Sequence, residues 1–243
     1  MCLLAVLGNV LAQAGDGFFS RYNFHYLTER DGLPSGMVND IIRDSDGFVW
    51  IATPGGVCRY DSYQVDVYNS QTASLTLRNN YVNALCEDGF HRLWMGTEGG
   101  LEVVDLDTYR TVDVWAQADE ALRGLASGLI HSLYWDKGGD MWVSVGNTLW
   151  CVEMDGRGRI ADYWRLEEDC ASPIVAVAGV GERICAGLDN QVYLLEKGPE
   201  HRLQAVRLSE DLTPFSDDWR IACMLEDGWW LWMGTNRGLF RIS

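Results

Sequence analysis

The sequence has few basic residues, few prolines and no long helical pattern. Lysine and arginine together number 19, against 35 aspartate and glutamate residues, so the formal net charge is −16. A surface this acidic repels phosphate backbones, and we do not expect this chain to bind nucleic acid. Proline occurs 5 times, whereas glycine occurs 26 times and tryptophan 11 times. Because periodic Ala-, Lys- or Leu-rich stretches are scarce, this composition predicts short strands joined by tight turns.

The motifs of common catalytic and metal sites are absent from the sequence. There is no Cys-x-x-Cys, no histidine at zinc-ligand spacing from a cysteine, and no Gly-x-Ser-x-Gly elbow. The segment 44–47, Asp-Ser-Asp-Gly, begins like a calcium loop, but an EF-hand needs a glutamate at its twelfth position, where Gly55 stands. The acidic runs 167–169 and 217–218 could pair carboxylates for hydrolysis, although such runs between repeats are usually just solvated. We therefore predict no catalytic residue, no metal and no cofactor.

No segment approaches the roughly 18 consecutive apolar residues that a membrane span needs. The N-terminus instead carries a short apolar stretch, Leu3–Leu11, followed by Ala12-Gln13-Ala14. A short apolar region that ends in Ala-x-Ala is typical of a secretory signal and its cleavage site. We therefore interpret residues 1–14 as a signal peptide and Gly15 as the mature start, which predicts a periplasmic protein. The alternative is a buried N-terminal strand.

The seven cysteines favour buried thiols over a disulfide framework. Five of them lie inside apolar, strand-like runs, where cysteine behaves as a small hydrophobe. These five are Cys58, Cys86, Cys151, Cys185 and Cys223. Cys170 differs, because it lies in an acidic, loop-like stretch. If the chain is exported, a bridge from Cys170 to Cys151 or Cys185 is the pairing to test, and the sequence leaves it open.

An internal repeat decides the fold. Four segments share one pattern, a strand-like run, a turn and a tryptophan: 37–69, 81–115, 129–164 and 220–243. Their anchor tryptophans, Trp50, Trp94, Trp142 and Trp232, are separated by 44, 48 and 90 residues. The last spacing is twice the period, and a degenerate repeat at 174–206 fills it, with Ile184 in place of the tryptophan. This period is typical of a four-stranded β-propeller blade.

Each repeat divides into four strands with turns between them. In the first repeat the predicted strands are 38–43, 48–53, 57–60 and 63–68. Glycine supplies the positive φ that the first hairpin needs, and we assign this role to Gly47, Gly89 and Gly228. The anchor tryptophans recur in register on the second strand, so we interpret them as core between blades and not as sugar-stacking surfaces. We predict one all-β domain, 15–243, with about five blades.

The strand count predicts an incomplete propeller. The last repeat has three strands and no outer strand. The segment 18–27 alternates like a strand, and in a closed ring it would pair into the final blade. Propellers normally remove exposed edges by closing the ring of blades. We expect the five blades of this chain to form an open or strained arc that aggregates when it is expressed alone.

The repeats resemble the two-component regulator propeller repeat. The shared pattern is Asp-x-x-Gly-x-(Leu/Val)-Trp-x-(Gly/Ala)-Thr-x-x-Gly-(Leu/Val), with its threonine at Thr53, Thr97 and Thr235. The lead-in 24–53 is also similar to the opening of the sensor region of hybrid two-component systems. The resemblance implies a periplasmic sensor in which propellers outside the inner membrane precede a transmembrane helix and a histidine kinase. It further implies a homodimer and, in many members, a response to oligosaccharides.

Two groups of residues are candidates for ligand contact. Asn39, Asn83 and His131 occupy the same position early in the first strand of their repeats. Because the innermost strand of a blade faces the central channel, these side chains could ring a ligand; alternatively, they cap neighbouring blades by hydrogen bonds. Trp219 and Arg220 enter the last blade near the axis, where an aromatic ring and a guanidinium would suit an anionic or neutral glycan. Packing is the alternative for Trp219.

We therefore predict an extracytoplasmic sensing propeller that binds a carbohydrate or a similar small ligand and acts upstream of a histidine kinase. Two alternatives stay open. One is a propeller enzyme, such as a lyase or a glycosidase, which would need convergent acid, base and often metal residues at one channel mouth. The other is a structural module that mediates dimerisation and has no ligand of its own.

Overall fold

The computed structural model describes residues 26–73, 75–115, 120–166, 170–208 and 218–242. The predicted signal peptide, 1–14, and most of the predicted closing strand, 18–27, lie outside these residues. Residues 26 and 27 are described and form no strand. The described chain folds into antiparallel blades, each made from strands that follow one another in sequence. Helical structure in these residues is confined to short turns, Glu29–Asp31, Glu120–Arg123 and Gly124–Ala126.

The first three blades have four strands each, paired in sequence order. Blade 1 consists of β1 (Asp40–Arg43), β2 (Val49–Thr53), β3 (Gly56–Tyr60) and β4 (Val65–Tyr68). Blade 2 consists of β5 (Val82–Glu87), β6 (Arg92–Thr97), β7 (Gly100–Asp105) and β8 (Arg110–Thr111). Blade 3 consists of β9 (Ile130–Trp135), β10 (Asp140–Val145), β11 (Thr148–Met154) and β12 (Ile160–Leu166).

Blades 4 and 5 depart from this plan. Blade 4 consists of β13 (Ala176–Val180), β14 (Arg183–Leu188), β15 (Gln191–Lys197) and β16 (Arg202–Arg207). Its outer strand β16 runs parallel to β12, so blades 3 and 4 share one eight-stranded sheet. Blade 5 consists of β17 (Ile221–Asp227), β18 (Trp230–Thr235) and β19 (Gly238–Ile242), and the described residues add no fourth strand to it. The all-β architecture of four-stranded blades is thus as the sequence predicts.

The core lies between the blades, and the anchor tryptophans are among its largest members. Trp50 lies in an apolar cluster with residues of blade 2, Trp94 in one with residues of blade 3, and Trp142 in one with residues of blade 4. A buried aromatic side chain removes about 150–250 Å² from water, so each of these contacts stabilises the fold by several kcal/mol. Trp232 is only partly buried, since no described blade follows blade 5.

An aspartate holds the anchor tryptophan in three of the blades. Trp50 Nε1 donates a hydrogen bond to Asp44 Oδ2 at 2.7 Å, and Asp44 Oδ1 accepts one from Phe48 N at 2.8 Å. Equivalent bonds of 2.7 Å join the pairs Trp94–Asp88 and Trp142–Asp136. Because both oxygens of Asp44 are engaged within the hairpin, the segment 44–47 is a turn and not a calcium loop.

The first hairpin of each blade contains a residue with positive φ. The prediction from the sequence that Gly89 has this role in blade 2 is wrong. Gly47 and Gly228 have φ values of 96° and 64°, as predicted. In blade 2 the positive φ, 58°, belongs to His91, at the position equivalent to Gly47. Gly89 has an ordinary φ. Close packing explains that glycine instead, because a Cβ there would lie 3.2 Å from the ring of Trp135.

Three of the six described cysteines are buried thiols, and Cys86 is partly buried. Cys58, Cys151 and Cys185 are free and buried, and burial raises the pKa of the Cys185 thiol to about 11. The sulfur of Cys170 is therefore not bonded to Cys151 or Cys185. Cys223 is exposed, contrary to the sequence interpretation, because β17 is covered less than the inner strands of the earlier blades.

The lead-in to blade 1 covers the face of that blade that points away from blade 2. Leu27 and Leu33 pack there against Ile51 and Cys58. A capping box at Thr28 fixes the turn between the two leucines, since Thr28 N donates to Asp31 Oδ2 at 2.8 Å. The face of blade 1 that points away from blade 2 is therefore covered by apolar side chains of the lead-in. Among the described residues, no helix is long and apolar enough to cross a membrane.

Candidate functional site

The inner strands of all five blades line one channel. Successive inner strands pack side by side, β1 with β5, β5 with β9, β9 with β13 and β13 with β17. All five line the same cavity, which has a volume of about 920 Å³. A concave space of this size with convergent polar groups is the usual form of a small-molecule site.

One ring of the channel is formed by equivalent positions of the five repeats. Its members are Asn39, Asn83, His131, Val175 and Ala222, and all of them line the cavity. The structure thus brings together the three residues that the sequence places by equivalence. The polar members come from blades 1 to 3 and the apolar members from blades 4 and 5, so the ring has a polar side and an apolar side.

The two asparagines of this ring also join blades. Asn39 Nδ2 donates to Val82 O at 2.7 Å, and Asn83 Nδ2 donates to Ile130 O at 3.0 Å. Each bond runs from one inner strand to the start of the next, so the capping role that the sequence left open is present at both positions. These bonds use the amide N–H groups, and the amide oxygens keep their capacity to accept a hydrogen bond from a ligand.

His131 is the third polar member of the ring and is partly buried on β9. Burial lowers the pKa of its imidazole below the ordinary value near 6.5. The imidazole of His131 is therefore neutral at pH 7, and it offers one N–H donor and one acceptor nitrogen. This end of the channel provides hydrogen-bonding groups without a fixed charge.

The opposite end of the channel is charged and crossed by a brace. Tyr134 Oη donates to Glu226 Oε2 at 2.9 Å, and Lys137 Nζ forms an ion pair with the same carboxylate. The brace joins blade 3 to blade 5 over the inner strand of blade 4. Gly179 makes room for it, since a Cβ at that position would lie 2.3 Å from Tyr134 Oη. The absence of a side chain at position 179 is therefore required for the brace.

Trp219 and Arg220 do not line the channel. The Trp219 ring packs on Phe240 of β19, with 4.5 Å between ring centroids. Arg220 Nε lies 3.7 Å from Asp189 Oδ1, in the turn between β14 and β15. Both side chains point towards the junction of blades 4 and 5. The sequence shows only that these residues precede β17, so it does not predict this direction. For Trp219, packing is the interpretation that the structure supports.

The acidic side chains near the channel are engaged within the fold. Burial raises the pKa of Asp40, whose carboxylate accepts a bond from Leu85 N at 2.8 Å. Asp218 pairs with Arg237, and the run 167–169 and residue 217 lie outside the described residues. Within the described part of the chain, no group of three or more His, Cys, Asp or Glu side chains could hold a metal ion.

Two of the repeat hairpins match a known family. Residues 32–55 and 76–99 match the family model described as two-component regulator propeller. These segments contain the β1–β2 and β5–β6 hairpins, each with an aspartate and its tryptophan. A comparison with curated proteins finds no match.

Several solved structures share the fold. The extracellular domain assigned to the hybrid two-component system BT3049 of B. thetaiotaomicron has a TM-score of 0.66 at 20% identity, covering 91% of this chain. The extracellular domain of the system BT4673 from the same organism has a TM-score of 0.53 at 20% identity, covering 92% of this chain. This chain spans 29% and 36% of those two chains, respectively.

An enzyme is similar as well. Virginiamycin B lyase from Staphylococcus aureus has a TM-score of 0.60 at 13% identity, with 87% of this chain and 68% of the lyase covered. At these identities the likeness to solved structures concerns the fold alone. The family match is independent of it and falls on the first hairpins of blades 1 and 2. Two segments of the chain, 32–55 and 76–99, therefore match the two-component regulator propeller repeat, and the chain folds into a β-propeller.

Proposed function

We propose that this chain is the sensing propeller of an extracytoplasmic two-component sensor, and that a carbohydrate or a similar small polar ligand binds in its channel. The observation that carries the proposal is the channel itself. The two segments that match the regulator propeller model supply its inner strands β1 and β5, and equivalent positions of all five blades meet in its ring.

The chemistry of the ring favours a neutral sugar. Asn39, Asn83 and His131 offer donors and acceptors without a fixed charge, whereas Val175 and Ala222 offer apolar surface. A pyranose presents hydroxyl groups together with apolar C–H faces, and it matches such a divided ring. The net charge of −16 disfavours an anionic ligand.

The signalling role extends beyond this chain. In this proposal the propeller lies in the periplasm, works as a pair of copies, and reports its ligand state to a histidine kinase elsewhere in the sensor. The support is the family match together with the similarity to extracellular domains of two-component systems. An enzyme would instead convert the ligand, and the binding experiment below separates the two.

The direct test is calorimetric titration of the chain with a panel of neutral oligosaccharides. We expect at least one to bind, and His131→Leu to weaken that binding about tenfold, because one buried hydrogen bond to the ligand is lost. His201→Leu is the matched control, since His201 is exposed and lies beside Asp162, away from the channel.

Three results would overturn the proposal. One is the absence of binding across the panel, and a second is unchanged affinity in His131→Leu. The third is conversion of the oligosaccharide during the titration, which chromatography of the recovered sugar would detect and which would identify an enzyme.

A further inference from the structure

The connections between successive blades contribute leucines to the core at the first two junctions. Leu75 and Leu77 belong to the connection from blade 1 to blade 2, and both are buried in the apolar cluster between those blades. Leu122 and Leu125 belong to the connection from blade 2 to blade 3 and are buried in the next cluster. At both junctions, a pair of leucines from the connection therefore fills space between two blades.

The connection from blade 3 to blade 4 has no such pair. It runs from 167 to 175, and it is shorter than the connections 69–81 and 112–129 at the first two junctions. Between Leu166 and Ile174 its sequence is Glu-Glu-Asp-Cys-Ala-Ser-Pro. These residues include no leucine, isoleucine, valine or aromatic residue. The connection therefore has no large apolar side chain to place where the leucine pairs lie at the other two junctions.

A cavity of about 480 Å³ lies at this third junction. Blade 4 forms one wall of it with the face that points to blade 3, since Ala186 and Leu195 also belong to the apolar cluster that contains Trp142. Ala171 of the connection and Ala205 of β16 line the same space. Its volume lies within the range of roughly 300–1,000 Å³ that is typical of small-molecule sites.

The lining of this cavity is mostly apolar and carries polar groups from the turn between β14 and β15. Asp189 and Gln191 supply those groups. Ser172 Oγ donates a hydrogen bond to Asp189 Oδ2, and Tyr193 Oη donates one to the Gln191 amide oxygen. The amide N–H groups of Gln191 can donate to a ligand. Further aliphatic surface comes from Leu166, Ile174 and Leu188.

We propose that this junction cavity is a second binding site. Its ligand is a small neutral molecule with a branched or cyclic hydrocarbon body and one hydroxyl or carbonyl group. The hydrocarbon body takes the place of the leucine pairs of the other junctions and packs on Leu188 and Leu195, while the polar group accepts a hydrogen bond from the Gln191 amide. Asp189 and the net charge of −16 disfavour a carboxylate ligand. The site is separate from the channel and does not depend on the proposed function.

An NMR titration of the leucine methyl groups with menthol, cyclohexanol and benzyl alcohol tests the junction cavity. We expect at least one of these alcohols to shift the methyl signals of Leu188 and Leu195 saturably. Ala171→Leu and Ala205→Leu each place a larger side chain in the cavity, from different walls, and should weaken that binding about tenfold or more. Ala73→Leu is the matched control, since Ala73 is an exposed alanine of the connection from blade 1 to blade 2. Ala171 and Ala205 are exposed as well, so circular dichroism melting should show folded variants.

A second variant tests the polar contact. Gln191→Met keeps a side chain of similar length but removes the N–H donors, so it should weaken binding of the same alcohol about fivefold, because one hydrogen bond is lost. Gln64→Met is its control, since Gln64 is exposed in the turn between β3 and β4. The proposal fails if none of the alcohols shifts these methyl signals saturably, if binding survives both leucine substitutions, or if Gln191→Met binds as tightly as the wild type.

Discussion

Blades 2 and 5 contain the same pentapeptide, Leu-Trp-Met-Gly-Thr, at 93–97 and 231–235. In β6 all five of its residues are buried, whereas in β18 Trp232 and Thr235 stay partly exposed. The local sequence is identical, so the difference comes from the surroundings. Blade 3 covers the Trp94 face of blade 2, and no described blade covers blade 5. In such a repeat, the following blade sets how much a tryptophan contributes to stability.

The hairpin before the pentapeptide adds a second difference. Asp88 precedes Trp94 by six residues and accepts its indole N–H at 2.7 Å. Asp227 precedes Trp232 by five residues, and the corresponding distance is 3.4 Å. A hydrogen bond of that length is weak. The shorter hairpin of blade 5 therefore holds its tryptophan less firmly, which adds to the effect of exposure.

Replacement of the two tryptophans should separate the blades most clearly. Trp94→Ala should cost about 3–5 kcal/mol of unfolding free energy, because it leaves a large cavity in a fully buried core. Trp232→Ala should cost about 1 kcal/mol, because the side chain is already partly exposed. Urea unfolding of both variants measures the difference. Equal losses would show that the following blade does not decide the contribution.

Replacement of the aspartate that accepts the indole N–H should also cost more unfolding free energy in blade 2 than in blade 5, with smaller losses than for the tryptophans. Asp88 is buried and also pairs with Arg92, whose Nε donates to it at 2.7 Å. Asp88→Asn keeps the shape but removes the charge that compensates Arg92, so we expect a loss of about 2–3 kcal/mol. Asp227→Asn should cost about 0.5 kcal/mol. Urea unfolding measures both, and a larger loss for Asp227→Asn would contradict the comparison.

The glycines of the pentapeptide test how tightly the neighbouring strand packs. A Cβ at Gly96 would lie 2.4 Å from Ile130 Cγ2 and 2.9 Å from Ile130 Cβ, so Gly96→Ala should cost about 1–3 kcal/mol. At Gly234 the Cβ would meet only Cys223 Sγ, at 2.6 Å, and this exposed side chain can rotate away. Gly234→Ala should therefore cost less than Gly96→Ala.

The smallest expected effect is a pH dependence at the junction of blades 1 and 2. His91 lies 3.0 Å from Glu87, 3.4 Å from Asp46 and 3.7 Å from Asp107, and Ser45 Oγ is 3.1 Å from its Nδ1. The hydrogen bond to Glu87, followed by the charges of Asp46 and Asp107, raises the pKa of His91 above the ordinary 6.5. The stabilisation is complete below the unfolded pKa and is lost as the pH rises through the folded pKa.

The measurement is an NMR titration of the His91 imidazole, with unfolding at several pH values as a second readout. His91→Gln should remove this part of the pH dependence and leave the remainder unchanged. A His91 pKa at or below 6.5 in the folded chain would contradict the assignment. Because the side chain is partly exposed, salt should reduce the effect.

The sequence alone predicts the features that depend on a local residue pattern and recur in each repeat. The spacing of the tryptophans specifies the blades, because each blade repeats the same local pattern of strands and turns. Equivalence of position also brings Asn39, Asn83 and His131 together, since a propeller directs equivalent positions of its inner strands towards one axis. Their bonds to the next blade, and the brace between Tyr134 and Glu226, require knowledge of which strands are neighbours.

What the sequence does not predict depends on contacts between distant segments. The positive φ falls on His91 because the turn in blade 2 keeps the geometry of blade 1 with a different residue. Trp219 turns towards Phe240, a residue of another strand. Cys223 is exposed although its strand is apolar, because burial depends on what covers the strand. The parallel pairing of β12 with β16 likewise has no local signal.

Hydrogen exchange of the two pentapeptides tests the central claim most directly. The amides of Trp94, Met95 and Gly96 have the same sequence neighbours as those of Trp232, Met233 and Gly234, so their intrinsic exchange rates match. We expect the amides of blade 2 to exchange about 100-fold more slowly than those of blade 5, since local opening costs more where a following blade covers the strand. Equal protection of the two pentapeptides would contradict it.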